Sequence, residues 1–119
     1  MNDSRGLAPD GWHIPSSEEW TNLINYLGTE NIGEKIKTTE GWFQDGNGNN
    51  ESGFSGFPGG HRNYAGEWNR YNGADGYWWS STKDGGKKAK AMHTNSFTKS
   101  AFLRTILMID GCSIRCVMD

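Results

Sequence analysis

Three histidines and two cysteines are the residues of this chain whose chemistry could hold a metal ion or carry a reaction. His13, His61 and His93 lie far apart in the sequence and lack a short ligand spacing such as HxH or HExxH. His13 precedes a predicted helix cap and His61 follows a Gly-Gly turn, which are positions typical of structural or surface histidines. We therefore predict no metal site at the histidines and no cofactor for the chain.

The two cysteines, Cys112 and Cys116, lie four residues apart. In an extended strand they would share a face but sit about 13 Å apart at ~3.3 Å per residue, whereas a disulfide needs Cα atoms within about 7 Å. We therefore expect no disulfide between them. Apolar residues at every second position predict a strand over 112–118 with its apolar side toward the core, and so buried thiols. This apolar set comprises Cys112, Ile114, Cys116 and Met118.

The polar stretch 44–53 starts like a calcium-binding loop, with oxygen-bearing side chains at Asp45, Asn47, Asn49 and Glu51. Asn50 and Gly56 stand where such a loop would need its Gly and its final Glu. We therefore predict a plain polar loop. The chain also lacks a Ser/His/Asp set, a paired-carboxylate motif and a phosphate-binding Gly-rich loop before a helix. These patterns predict no catalytic residues and a protein that is not an enzyme.

Aromatic rings beside Asn and Arg are better candidates for function, because they suit sugar stacking or a protein hot spot. Trp68 could equally well cover the small core. The first candidate surface, the 61–72 loop, contains Arg62, Tyr64, Trp68, Asn69, Arg70 and Tyr71. The second, the 87–104 strands, contains His93, Asn95, Phe97, Phe102 and Arg104.

The composition limits the possible partners. The 119 residues suffice for one domain, with 34% hydrophobic residues and 13% Phe, Trp or Tyr. A net charge of -2 provides no general attraction to nucleic acid.

The lysine-rich run 83–90 is typical of a solvated turn and edge strand. No apolar run approaches the ~20 residues of a membrane span, and no secretory signal is visible. We expect no nucleic-acid partner and no membrane span.

Helical periodicity and turn dipeptides predict an α+β chain. Ser16 and Glu19 form a capping box, apolar residues follow at helical spacing, and Gly28 is a stop signal, so we predict a helix at 16–27. A second helix is predicted at 31–37. Turn dipeptides then separate short strands that form an antiparallel meander, and a hairpin at 110–111 joins the last two. The predicted strands are 77–81, 88–94, 101–109 and 112–118.

The run Tyr77-Trp78-Trp79 predicts the central strand of the sheet. Successive side chains of a strand point to opposite sides, so three large rings in a row require cover on both faces. We therefore expect these rings to be structural and the binding residues to lie in the loops around them.

Four blocks, in order, carry a resemblance to a known family. They are 11–16 (GWHIPS) with 19–20 (EW) and 27–28 (LG), 53–55 (GFS) with 58–60 (PGG) and Arg62, 76–82 (GYWWSST), and 113–117 (SIRCV). On these blocks the chain resembles the Fibrobacter succinogenes major paralogous domain. That family is in turn similar to the C-type lectin-like fold of the formylglycine-generating-enzyme group. The resemblance implies this fold for 11–119, after a lead-in at 1–10, with two N-terminal helices and a small antiparallel sheet with long loops.

The resemblance also implies a function: a non-catalytic ligand-binding module of a bacterial surface or secreted protein, extracellular or at the cell surface, with a protein or glycan ligand. Relatives among the variable proteins of diversity-generating retroelements imply a receptor-binding alternative, with the late strands as binding face. A further alternative is an oxidase-like enzyme in which Cys112 and Cys116 form a copper-binding thiol pair. That alternative requires two low-pKa thiols near one metal.

Two positions depart from the family pattern. Members usually carry a strand segment ahead of the GWH block, where this chain has ten residues. Either the sheet lacks that strand or another chain supplies it at an open sheet edge, which would make the protein a structural or assembly subunit. Members also often have Cys at the position of Ala8. If the usual bridge joins that position to Cys116, then Cys116 lacks its partner here, which favours reduced thiols.

Overall fold

The computed structural model describes residues 6–28, 30–67 and 73–119. These residues form an α+β fold of two short helices followed by small antiparallel sheets, which confirms the coarse prediction of the fold class. The helices are α1 (Ser17–Leu27) and α2 (Ile32–Ile36). The strands are β1 (Trp12–His13), β2 (Asp75–Lys83), β3 (Lys88–Asn95), β4 (Phe102–Leu107) and β5 (Val117–Met118).

Helix α1 begins at the predicted capping box. Ser16 Oγ accepts the main-chain N–H of Glu19 at 3.1 Å, and Glu19 Oε2 accepts that of Ser16 at 2.8 Å. The helix ends before Gly28, whose φ of 90° favours glycine. Both predicted helices are confirmed, and α2 is one residue shorter at each end than predicted.

Strands β2, β3 and β4 form an antiparallel meander in that order. The second edge of β2 is partly filled by Ser113, which accepts the N–H of Trp79 at 2.9 Å and donates to the carbonyl of Tyr77 at 3.0 Å. The predicted strands 77–81 and 88–94 are confirmed as β2 and β3. Strand β4 is shorter than the predicted 101–109, because a turn begins at Met108.

The predicted strand at 112–118 and the hairpin at 110–111 are wrong. Gly111 exchanges two main-chain hydrogen bonds with Arg62, of 2.9 and 2.7 Å, so the chain crosses the sheet instead of returning along β4. Only Val117–Met118 is a strand, and it pairs with β1. Of the predicted apolar side, Cys112 packs against the core, whereas Ile114 and Met118 are 44% and 70% exposed.

The sheet separates two apolar clusters. Trp78 points toward the helices, whereas Trp79 points to the other side, and both indole rings are buried. The cluster on the helix side contains Trp20, Ile32, Ile36, Trp42, Trp78, Met92 and Ala101. The opposite cluster contains Trp79, Ala89 and Ala91, with Ile106 and Cys112 packed against it. Exposed fractions of 7%, 5% and 7% for Tyr77, Trp78 and Trp79 confirm that this strand is covered on both faces. The prediction that it is the central strand is wrong, because β3 lies between β2 and β4.

Gly76 is required by this aromatic packing. A Cβ atom there would lie 2.5 Å from the ring of Trp78 and 2.9 Å from the ring of Trp42. The buried indoles also satisfy their polar atoms, since Trp20 Nε1 donates to the carbonyl of Trp79 at 3.2 Å. The backbone of β2 therefore anchors α1 by a hydrogen bond as well as by ring packing.

Lys37 is a buried lysine that ties two loops together. Its ammonium donates to three main-chain carbonyls, those of Gly46 at 2.7 Å, Asn95 at 3.1 Å and Thr98 at 3.1 Å. Burial lowers the pKa of Lys37 from its usual value. These bonds attach the polar loop after α2 to the tip of the β3–β4 hairpin.

His13 joins the two ends of the described fold. Its Nε2 lies 2.8 Å from Glu19 Oε1 and its Nδ1 lies 2.7 Å from Asp119 Oδ1. Both ring nitrogens can donate only in the protonated imidazolium. Hydrogen bonds to two carboxylates accordingly raise the pKa of His13, and the bond to Glu19 has a larger effect than the bond to Asp119. The pKa of Glu19 is lowered mainly by the hydrogen bond from the Ser16 N–H and, to a smaller extent, by the bond from His13.

Replacing Trp79 by Ala tests the second cluster. Loss of this buried ring should lower the free energy of unfolding by about 3–5 kcal/mol. The exposed ring of Phe57 is the matched control, and its replacement by Ala should change that free energy by less than about 0.5 kcal/mol. Urea denaturation measures both variants. Equal small losses would show that Trp79 does not support the core.

Replacing His13 by Gln tests the pH dependence of the His13 contacts. Because the folded pKa is raised, their stabilisation is full below the unfolded value of about 6.5 and is lost as pH rises through the folded value. The lowered pKa of Glu19 has the opposite effect on the pH dependence of stability. The stabilisation by the Glu19 carboxylate is lost as pH falls through the folded pKa of Glu19. The difference in unfolding free energy between wild type and His13→Gln should therefore shrink at alkaline pH.

Urea denaturation at a series of pH values, with an NMR titration of the His13 ring, measures this difference. Asp119→Asn is the companion variant and should lower the pKa of His13, because one carboxylate is removed. A stability difference that stays constant between about pH 5 and pH 9 would contradict the assignment.

Candidate functional site

The face of the sheet opposite α1 carries a row of rings that crosses all three strands. In the strand register, Tyr77 of β2 lies opposite His93 of β3, and His93 lies opposite Phe102 of β4. Directly opposite residues of antiparallel strands point to the same face. We call Tyr77, His93 and Phe102, together with His61 from the loop before β2, the ring row.

The rings of this row are in mutual contact. The rings of Tyr77 and His93 stack with centroids 4.1 Å apart and an interplanar angle of 21°. Phe102 meets His93 edge-on at 5.1 Å, and His61 lies 5.1 Å from Tyr77 on the other side. Such pairs contribute on the order of 0.5–1.5 kcal/mol beyond area burial, so the row is a rigid unit.

Two carboxylates hold the histidines of the row. His93 Nε2 lies 2.9 Å from Asp75 Oδ1, and His61 Nε2 lies 3.0 Å from Asp110 Oδ2. His93 is only 2% exposed, so it supports its neighbours and does not itself reach a ligand. In the described part of the chain, His93 Nδ1 and Asp110 Oδ1 are buried without a hydrogen-bond partner, which is uncommon for buried polar atoms.

The row reaches the protein surface at Phe102 and Arg104. Phe102 is 37% exposed, and the Arg104 guanidinium lies 5.5 Å from the centre of its ring. The Arg104 guanidinium also lies near the Tyr77 side chain and favours its ionised form. Burial has the larger effect and raises the pKa of Tyr77, so its hydroxyl is neutral at physiological pH. The exposed cation therefore lies beside two aromatic side chains.

The first part of the 61–72 loop is held by its own hydrogen bonds. Arg62 Nε donates to the carbonyl of Gly66 at 3.0 Å, and Asn63 Oδ1 accepts the N–H groups of Ala65 and Glu67, both at 3.0 Å. Tyr64 is 71% exposed at this turn. Trp68, Asn69, Arg70 and Tyr71 lie outside the described residues.

Asn95 and Phe97 lie at the tip of the β3–β4 hairpin. Asn95 Oδ1 accepts the N–H of Phe97 at 2.8 Å, and the exposed Phe97 ring meets Phe43 edge-on at 6.2 Å. Phe97 lines a cleft of about 230 Å³ with Glu34 and Lys37. The structure thus brings His93, Phe102 and Arg104 together, whereas Phe97 belongs to a separate surface on the α2 side.

Cys112 lines a second cleft, of about 240 Å³, whose other lining residues are Gly59, Gly60, Arg62, Gly111 and Ser113. Burial, followed by the charge of Asp110, raises the pKa of Cys112 to about 12. The side chain is therefore a protonated thiol at neutral pH, the form that is a poor nucleophile and a poor metal ligand. Both cysteines are free and partly buried.

Within residues 6–28, 30–67 and 73–119, no three or more His, Cys, Asp or Glu side chains are grouped so that they could hold a metal ion. The polar loop at 44–53 uses its amides internally, since Asn47 Oδ1 accepts the N–H of Trp42 and Asn50 Oδ1 that of Ser55. No helix in the described part of the chain is long and apolar enough to cross a membrane.

A family model described as the Fibrobacter succinogenes major domain matches residues 1–118. The chain belongs to this family. The family resemblance predicted from the four sequence blocks is therefore confirmed, and the match includes the whole ring row. No curated protein and no solved structure matches this major domain.

Sequence reasoning missed four residues of the site in this major domain: His61, Asp75, Tyr77 and Asp110. Asp75 and Tyr77 are two residues apart in β2, so strand alternation could have predicted from the sequence that they share a face. The contacts of His61 with Asp110 and with Tyr77 join residues 49 and 16 positions apart through loops, and no local pattern specifies them.

Cys112 should react slowly with thiol reagents in the native protein. At pH 8 a thiol of pKa about 12 is ionised roughly a thousandfold less than a free cysteine, so its modification by iodoacetamide should be slower by a similar factor. Mass spectrometry after timed labelling measures each cysteine separately. A Cys112→Ala variant assigns the remaining signal to Cys116. Rapid labelling of Cys112 in the folded protein would support the thiol-based enzyme alternative.

Proposed function

We propose that this major domain is a non-catalytic ligand-binding module of a bacterial surface or secreted protein, and that its ligand is another protein. The observation that carries the proposal is the exposed end of the ring row. There, Phe102 and Arg104 are presented on a strand, the Phe102 ring packs against His93, and the Arg104 guanidinium lies over the Phe102 ring. Aromatic and Arg side chains are enriched among the residues that dominate protein interfaces.

Rigid presentation strengthens this proposal. A side chain that is already held in one conformation loses less entropy when it binds, and immobilising a free one costs about 0.5–1.5 kcal/mol. Arg104 lies over the Phe102 ring, with the guanidinium carbon 5.5 Å from the ring centre. A long cation on a bare surface would lack this contact.

A glycan ligand is less well supported. Sugar recognition needs polar groups beside an exposed ring, and among the described residues of the first candidate surface that ring is Tyr64. The polar groups next to it are used within the loop, because Arg62 bonds Gly66 and Asn63 bonds Ala65 and Glu67. The protonated Cys112 thiol likewise disfavours the oxidase-like alternative.

The proposal includes the C-type lectin-like fold of the formylglycine-generating-enzyme group and a location outside the cell or at its surface. Membership of the family, whose resemblance implies both, supports them. The two helices followed by an antiparallel meander and long loops are compatible with that fold. The variable receptor-binding alternative would use the same late strands.

Alanine variants of Phe102 and Arg104 test the proposal. The immobilised protein is incubated with bacterial surface proteins, and the captured proteins are identified and then quantified by titration. Each variant should weaken capture by roughly thirtyfold if the side chain is a hot spot worth about 2 kcal/mol. Both variants should keep their circular dichroism spectrum. Arg104→Ala should also keep its melting temperature, whereas Phe102→Ala should lower it by only a few degrees, because it loses the ring contact with His93.

Tyr26→Ala is the matched control, since Tyr26 is an exposed ring on α1, a helix on the other side of the sheet. This control should capture the ligand as wild type does. Equal capture by all three variants would reject the site. Binding to a glycan array that depends on Tyr64 would replace the protein ligand with a sugar.

A further inference from the structure

In the described part of the chain, the outer edge of β4 is open. β4 is the last strand in the order β2-β3-β4, and no strand among the described residues pairs with its far side. An unpaired strand presents a row of main-chain donors and acceptors that can pair with an extended segment of another chain. The ligand-binding residues Phe102 and Arg104 lie on this same strand.

The strand register shows which main-chain groups face outward. The N–H of Met108 donates to the carbonyl of Lys87 at 2.8 Å, and the register between β3 and β4 is uninterrupted. Antiparallel pairs exchange hydrogen bonds at alternate residues. Ile106, Arg104 and Phe102 therefore turn their main-chain groups to β3, whereas those of Leu103, Thr105 and Leu107 point outward.

Positive charge surrounds this edge. Arg104 is exposed on one face of β4. On the other face, Lys90 Nζ lies 2.9 Å from Thr105 Oγ1, and Lys88 lies opposite Leu107. Two carboxylates are near: Asp84 lies 3.2 Å from Lys90 Nζ, and the largely buried Asp110 carboxylate, just after β4, pairs with His61. Among the described residues, Arg104, Lys88 and Lys90 therefore outnumber the exposed carboxylate Asp84, which makes the edge positive although the whole chain has a net charge of -2.

This charge selects among possible partners. A second copy of the chain would bring the same cations to the joint, and like charges across paired strands are destabilising. An extended segment carrying Asp or Glu would instead place a carboxylate beside Arg104, because the residue opposite Arg104 points to the same face. The same side chains thus repel another copy and attract an acidic strand.

We propose that β4 binds an acidic, extended segment of the protein ligand as an added strand. This inference rests on the proposed function and specifies the chemistry of the partner. The main-chain groups of Leu103 and Thr105 and the N–H of Leu107 supply the hydrogen bonds, since the carbonyl of Leu107 already accepts the N–H of Asp110 at 3.0 Å. Arg104 selects the acidic side chains.

An NMR titration of the full chain with the blocked peptide acetyl-(Val-Glu)4-amide tests the proposal. The amide signals of Leu103, Thr105 and Leu107 should shift more than those of Phe102, Arg104 and Ile106, because only the first set points outward. A peptide of the same length with Lys in place of Glu should not shift them. A (Val-Glu)4 peptide N-methylated at every residue should also fail, because it lacks main-chain donors on both edges.

Two substitutions at Thr105 separate main-chain from side-chain effects. Thr105→Pro removes an outward N–H without removing a bond to β3, and should weaken (Val-Glu)4 binding by at least about tenfold. Thr105→Val keeps the N–H and removes the hydroxyl, and should bind within about twofold of wild type. Circular dichroism checks that both variants fold.

Several outcomes would overturn the inference. They are equal binding of the Glu and Lys peptides, unchanged binding by Thr105→Pro, or self-association that Thr105→Pro abolishes, which would make a second copy the occupant. Failure of the proposed function is distinguishable. If Phe102→Ala and Arg104→Ala lose the captured ligand but Thr105→Pro keeps it, the result supports the proposed binding site and contradicts the addition of a strand to β4.

Discussion

The packing of three consecutive rings on β2 determines where the other elements of this protein lie. Only 34% of the residues are hydrophobic, so the core depends on a few large side chains. Trp78 faces the helices, and Tyr77 and Trp79 face the opposite side. Each side then needs its own cover, which α1 and α2 provide on one face and the later loops provide in part on the other.

This division also separates the sealed part of the core from the candidate site. The helix side is sealed by indoles whose N–H groups are bonded to main-chain carbonyls, such as that of Trp79. The other side is closed near Trp79 and opens toward Phe102 and Arg104, at the outer strand. A buried histidine held by Asp75 therefore connects a structural ring, Tyr77, to an exposed one. The rigidity of the candidate site is a direct result of its continuity with the core.

Local patterns in the sequence predicted much of the fold. The capping box of α1, its apolar spacing and the turn dipeptides around β2 and β3 act between neighbouring residues, so the sequence alone could locate these elements. The segment after β4 was predicted wrongly, because its path depends on the pairing of Gly111 with Arg62 and of Ser113 with β2. The same limit applies to the site. The sequence identified Phe102 and Arg104 as candidate binding residues from their residue types. The ring row could not be predicted in this way, because it depends on the strand register and on the contact of His61 with a distant strand.

Lys37 has a consequence for how the hairpin tip could evolve. Its ammonium is bonded to the carbonyls of Gly46, Asn95 and Thr98, and every residue type carries a main-chain carbonyl. Side chains at the tip can therefore be exchanged while the anchor is kept. Because the buried ammonium of Lys37 bonds main-chain carbonyls, exposed side chains of the hairpin tip can be substituted one at a time during evolution without loss of these three bonds.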